Sequence, residues 1–323
     1  MLFSRLINTL LAWAVLFCAS STQAQDAWPN KPLKFIVASS PGGGTDTFAR
    51  VLGVSLGEVL GQQVVIENRP GASGNIGAAA VAKSSPDGYN FLVSANTTVT
   101  INSSLFKGLS YDPERDFVPV ARVFSPLVLV VQPNAGIKTL KDLIAASQKD
   151  PGKWSFGSAG TGSTTYLGVK LLEEKTGAKF LHVPYKGVAP AFQDLLGGQI
   201  QFMMPDVTAA LPFIKSGKLV PLAVEQRSAL LPGVPSFADA GLQEVNTQTS
   251  FSLVAPTGTP AAVVERLHKE WSALTKTPAL ASKLESLGLV PDTENLSGLN
   301  ASLKKERDFY AAFIKRNGIV ASD

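Results

Sequence analysis

The residues best suited to chemistry form one run, Ser39-Ser40-Pro41-Gly42-Gly43-Gly44-Thr45-Asp46. It follows an apolar stretch, Leu33 to Ala38, that reads as a buried strand. It precedes Phe48, Val51, Leu52, Leu56 and Leu60, whose spacing predicts a core-facing helix. Backbone N–H groups in the first turn of a helix lack intrahelical partners, and the aligned peptide dipoles leave partial positive charge there. Ser39, Ser40, Gly42, Gly43, Gly44 and Thr45 can therefore seat a carboxylate or a phosphate, the glycines letting a ligand reach the backbone; the alternative is a plain turn. Two nucleotide motifs do not fit. A Walker loop needs Lys and then Ser or Thr after its last glycine, where this chain has Thr45 and Asp46, and the G-x-G-x-x-G spacing is missing.

A second run repeats this chemistry. Ser158, Ala159, Gly160, Thr161, Gly162, Ser163 and Thr164 lie between a predicted strand, 153–156, and a predicted helix, 166–175. Two loops of one kind, one per predicted unit, suggest a cleft that grips an anion from both sides. Further candidates sit where sheet sites are expected, beyond the carboxyl ends of strands. Ala72 and Gly74 belong to the 71–77 loop, Asn96 follows the third strand, Tyr185 follows the strand 180–183, and Asp206 follows Met203-Met204-Pro205. Asp206 and Asp46 each have helix capping as the alternative role. Neither glycine loop contains arginine, so a carboxylate would be held by N–H groups, hydroxyls and bridging water.

Other chemistries find little support. His182 ends an apolar strand and His268 sits in an amphipathic helix, with no His, Cys or paired carboxylates at ligand spacing around either. No metal and no cofactor is expected. Ser163 comes nearest to a G-x-S-x-G elbow but lacks the second glycine, so a secreted α/β hydrolase is the weaker alternative and catalysis is not expected.

The elements that must position these loops are legible as alternation. From residue 32, short apolar runs alternate with helical ones: 33–38, 46–60, 64–67, 78–84 and 91–94 read as βαβαβ, the signature of a parallel sheet covered by helices. A second series, from 139 to 224, repeats it. The stretch 117–131, rich in Val and Leu and broken by Pro119 and Pro126, reads as one strand that bends or crosses between units; 251–255 reads as a strand crossing back, and the remainder is helical. The expected division is 27–123 plus 250–323 as one domain and 124–249 as the other. Two crossings make a hinge with the ligand cleft between the domains.

With 323 residues, 45% hydrophobic and 17% charged, the chain can bury two ordinary cores. Residues 1–24 read as a signal peptide: Arg5 is their sole charge, 10–19 are apolar, and Thr22-Gln23-Ala24 fits cleavage near Ala24 and export to the periplasm. The single cysteine, Cys18, lies inside that segment. Without Arg5 the basic count falls from 29 to 28 against 25 acids, spread along the chain, which argues against nucleic acid or a membrane surface as partner.

Six ordered stretches resemble a known family: Ser40 to Asp46, Val65 to Gly77, Ser85-Pro86-Asp87-Gly88-Tyr89, His182 to Gly187, Asp194 to Gln199, and Ala255 to Pro260. The chain is similar throughout its mature length to the Bug receptors (TctC-like), periplasmic solute-binding proteins associated with tripartite tricarboxylate transporters. That resemblance implies two Rossmann-like α/β domains with a hinge, a periplasmic binding protein of Venus-flytrap, type II-like form. It implies a small organic carboxylate as ligand, membrane permease subunits as partners, a monomer, and no catalysis. A sensing receptor that feeds a signalling partner is the alternative. The resemblance also implies that 39–45 and 158–164 hold the ligand carboxylate, partly through water, and the extra hydroxyls with Asp206 suit an amino or hydroxyl group on it.

Overall fold

The structure, a computed structural model, describes residues 28–243, 245 and 249–321; the expected signal peptide and its cleavage near Ala24 lie outside them. Strands β1 (Leu33–Val37), β2 (Val64–Asn68), β3 (Asn90–Ala95), β4 (Phe117–Phe124), β10 (Ser250–Pro256) and β11 (Val290–Pro291) form one sheet in the order β11-β4-β10-β3-β1-β2. Strands β5 (Val128–Val131), β6 (Ser155–Ser158), β7 (Leu181–Pro184), β8 (Phe202–Met203) and β9 (Val220–Val224) form a second, in the order β7-β6-β8-β5-β9. The helices α1 (Gly44–Leu60) and α2 (Asn75–Ala82) connect the parallel strands β1, β2 and β3. In the second sheet α4 (Leu140–Lys149), α5 (Thr164–Thr176), α6 (Val188–Leu196) and α7 (Val207–Lys215) make the corresponding connections.

The strands β1, β2 and β3 are parallel, as the βαβαβ pattern predicts, and both sheets also carry antiparallel strands. The strand β10 runs antiparallel to β3 and β4, and β5 runs antiparallel to β8 and β9. The expected single strand 117–131 is two, β4 in one sheet and β5 in the other. The chain crosses at Ser125-Pro126-Leu127, where the Pro126 carbonyl accepts the Val207 N–H at 2.8 Å and the Ser125 N–H donates to the Thr249 carbonyl at 2.9 Å. A proline has no N–H to give to a ladder, so the break falls there.

Each sheet has its own core. On the first, Phe48 of α1 lies edge-on to Trp271 of α8 (Ala261–Leu274), 5.8 Å between centroids, and stacks on Phe251 of β10 at 6.5 Å. All three are buried, each contributing about 2–3 kcal/mol by leaving water. Helices α3 (Asn102–Leu105), α9 (Pro278–Ser286) and α10 (Leu296–Arg316) complete the set among the described residues. The last of these joins both cores: its Leu303 packs with Ile36, Leu92 and Val254, while Tyr310, Phe313 and Ile314 pack with Phe156, Leu167 and Phe202.

One buried cation ties this helix to β4. Arg122, 5% exposed, reaches Asp292 (2.6 Å), Glu294 (3.4 Å) and Ser302 (2.5 Å), with Glu306 at 3.6 Å. Asn96 donates to the same Glu306 from the end of β3.

Candidate functional site

Helix α1 begins where the first glycine run predicts. Gly42 turns the chain with φ +85°, Gly43 is extended, and no side chain caps the helix. Asp46 holds the turn. Its carboxylate accepts the Gly42 N–H (3.0 Å), Arg50 (2.9 Å) and Asn68 Nδ2 (2.9 Å). Burial raises its pKa, and those bonds outweigh burial and hold it below the usual carboxylate range. Asp46 is thus occupied with its own turn.

Facing α1 is Asp206, which caps α7 by accepting the Ala209 N–H on Oδ1 at 2.9 Å. It is only 4% exposed, and burial, opposed by those backbone bonds, pushes its carboxyl up to about 6. The approach is close. A Cβ on Gly44 would lie 2.3 Å from Asp206 Oδ1 and 2.6 Å from Phe251 Cζ, so only glycine fits there.

The second glycine run leads from β6 into α5 through Gly160 and Gly162, both at positive φ. Ser163 Oγ accepts the Tyr166 N–H to cap α5 and donates to the Gly160 carbonyl at 2.7 Å. Two hydrogen bonds join the two sides of the gap: Ser40 Oγ donates to the Lys186 carbonyl (3.0 Å), and Ser73 Oγ donates to the Thr161 carbonyl (3.3 Å). Between them is a cavity that leaves about 80 Å³ open to the centres of water molecules.

Five helices point their N-termini at this space. Gly43 and Gly44 start α1, Gly74 precedes α2, Ser163 and Thr164 start α5, Gly187 and Val188 start α6, and Asp206 caps α7; all of these residues line the wall. Converging N-termini concentrate unpaired N–H groups and positive partial charge, the requirement for holding an anion without arginine. Ser39 Oγ and Thr249 Oγ1, also in the wall, are buried without a hydrogen-bond partner among the described residues, where buried hydroxyls usually have one. The charged side chains of the wall are Asp206, deep within it, and Lys186, exposed.

Of the residues named from sequence, Ser39, Ser40, Gly43, Gly44, Thr45 and Gly74 line the cavity from the first sheet's side. Ala159, Ser163, Thr164 and Asp206 line it from the other. The remainder lie outside the wall. Gly42 is bound to Asp46, and Ala72 sits at φ 46° in the turn before Gly74. Ser158 Oγ bonds within its loop to Gly160, the Thr161 carbonyl holds Ser73, and a Cβ on Gly162 would overlap Leu105. Tyr185 donates to Asp194 at 2.6 Å, and Asn96 donates to Glu306. The wall residues that sequence reasoning missed include Ser73, Thr97, Thr98, Lys186, Val188, Thr249 and Phe251. Phe251 reads as plain core from its apolar run, and the turn of π-helix Thr97–Ile101 is rich in β-branched residues, which carry weak helix signals.

The histidines have partners. Nδ1 of His268 pairs with the Val120 carbonyl at 2.9 Å. Nε2 of His182 pairs with Ser158 Oγ at 2.7 Å, and its ring packs on Phe156 and Tyr166. Ser163, the hydrolase candidate, bonds to the Gly160 carbonyl and Thr165 Oγ1. Burial first, and then the Lys170 charge, pull the His182 pKa from 6.5 down to about 4. A depressed histidine contributes stability above pH 6.5 that is lost as pH falls through 4. The full shift corresponds to about 3 kcal/mol, discounted to about 1–2 because the ring is part-exposed. His182→Gln is therefore expected to flatten the stability loss between pH 6.5 and 4, measured by urea denaturation across that range. An unchanged slope would remove His182 from the account.

Residues 48–319 match the family model described as tripartite tricarboxylate transporter family receptor. The chain is 34% identical over 320 residues to protein BugT of Bordetella pertussis, covering 97% of this chain and 98% of that one. Among solved structures it is similar to a protein of R. palustris solved with adipate (31% identity, TM-score 0.88, covering 91% of this chain and 99% of the other). It is also similar to MatC of Rhodopseudomonas palustris with bound malate (28% identity, TM-score 0.83, covering 88% and 99%).

Proposed function

The chain belongs to the tripartite tricarboxylate transporter receptor family, and from that premise we propose that it is a periplasmic receptor that captures a small organic carboxylate. The observation that carries this reading is the convergence of five helix N-termini, with the unpartnered Ser39 hydroxyl among them, on one arginine-free cavity. The carboxylate lies against the start of α1 on one side and the 158–164 loop on the other, with 27–123 plus 250–323 as one domain and 124–249 as its hinged partner. The adipate and malate relatives support the ligand class. The receptor acts as a monomer, is exported by a signal peptide cleaved near Ala24, and delivers its ligand to membrane permease subunits. No step of catalysis belongs to it.

A panel of mono-, di-, tricarboxylic and aromatic acids tests the reading by thermal denaturation. A ligand at 100 times its Kd stabilises the native state by about 2.7 kcal/mol, a rise of about 4 °C in Tm for a chain of this size. At least one acid is expected to reach this; silence across the panel would refute the reading.

A further inference from the structure

The cavity brings a carboxylate to the very place a ligand carboxylate is to occupy. Asp206 Oδ1 comes so near the Gly44 backbone that a Cβ there would stand 2.3 Å away, and Gly44 opens the helix whose N–H groups form the anion seat. A ligand carboxylate on that seat is therefore beside the buried Asp206 carboxylate, where two bare anions repel. The other charged groups nearby do not resolve the conflict. Asp46 of α1 is held by Arg50, Gly42 and Asn68; Glu225, after β9, accepts the Leu127 N–H at 2.9 Å; Lys186 is exposed. Backbone N–H groups at the start of α7 are the donors Asp206 has among the described residues, and they fix the side chain while its carboxylate faces the cavity. A donor carried by the ligand, placed between the two carboxylates, removes the repulsion and pairs a buried acceptor.

We propose that Asp206 is the specificity-determining residue of this cavity, accepting a hydrogen bond from a hydroxyl or amino group on the carbon next to the ligand carboxylate. The inference rests on the carboxylate reading above and narrows it. An acid without that donor sets its carboxylate against the buried Asp206 carboxylate with no proton between them, a circumstance in which polar sites discriminate strongly.

Calorimetric titration with matched pairs tests this: lactate and propionate, malate and succinate, 2-hydroxyglutarate and glutarate, with alanine, aspartate and glutamate as the amino counterparts. In at least one series the substituted acid is expected to bind at least about tenfold more tightly than its parent. In Asp206→Asn, whose side-chain oxygen can still accept the Ala209 N–H, that ratio is expected to fall below about threefold while the protein melts cooperatively. Equal binding within every pair that binds, or an unchanged ratio in Asp206→Asn, overturns the inference and leaves the carboxylate reading standing. Failure of every acid to bind overturns both.

Discussion

Replacing Gly44 with alanine is expected to weaken carboxylate binding at least about tenfold, or about 1.4 kcal/mol, and to lower stability by about 1–3 kcal/mol. The backbone is not the obstacle, since Gly44 has helical geometry and alanine is the better helix former. The obstacle is space. The added methyl would meet Asp206 Oδ1 at 2.3 Å and Phe251 Cζ at 2.6 Å, and neither can yield cheaply. Asp206 is pinned as the cap of α7, and Phe251 is buried in β10 between its neighbours. The start of α1 must withdraw from the opposite wall, and the anion seat opens with it. Melting curves and calorimetric titration of the same variant read the two effects separately. Wild-type affinity in Gly44→Ala would mean that α1 does not touch the ligand.

Arg122→Met is expected to cost about 3–5 kcal/mol of stability, since removing one partner of a buried ionic network leaves the others uncompensated. Asp292 is as buried as Arg122 itself, and Glu306, whose carboxyl is raised by burial despite bonds from Asn96 and Thr100, loses its nearest cation. The network joins β4, the segment after β11, α10 and the end of β3. Its loss loosens the sheet just before the Ser125-Pro126 crossing. Urea denaturation at neutral pH measures the cost; a loss under about 1 kcal/mol would show that the pairs break even against water.

Much of this architecture is written in the spacing of apolar residues. The strand, glycine run and helix order around residues 42 and 160 is visible because glycine and proline punctuate it, and α1 and α5 start within two residues of the positions that periodicity predicts. Strand direction is not visible, because an apolar run has the same period whichever way its neighbour runs. The antiparallel placement of β5 and β10 therefore emerges only from the fold. The site divides the same way. Ser39, Ser40, Gly43 to Thr45 and Ser163 to Thr164 follow from local turn chemistry, whereas the Ser73 bond to Thr161 joins residues 88 apart and depends on how the two sheets approach. Asp206 allows two readings from sequence, helix cap or binding residue; in the structure it caps α7 and lines the cavity.

In the proposed receptor, helix N-termini rather than a guanidinium recognise the ligand's negative charge. The decisive measurement is a titration of the tightest-binding acid of the panel against its neutral primary amide, of nearly the same shape. The acid is expected to bind at least about a hundredfold more tightly, roughly 2.7 kcal/mol. Comparable affinity for the amide would contradict it.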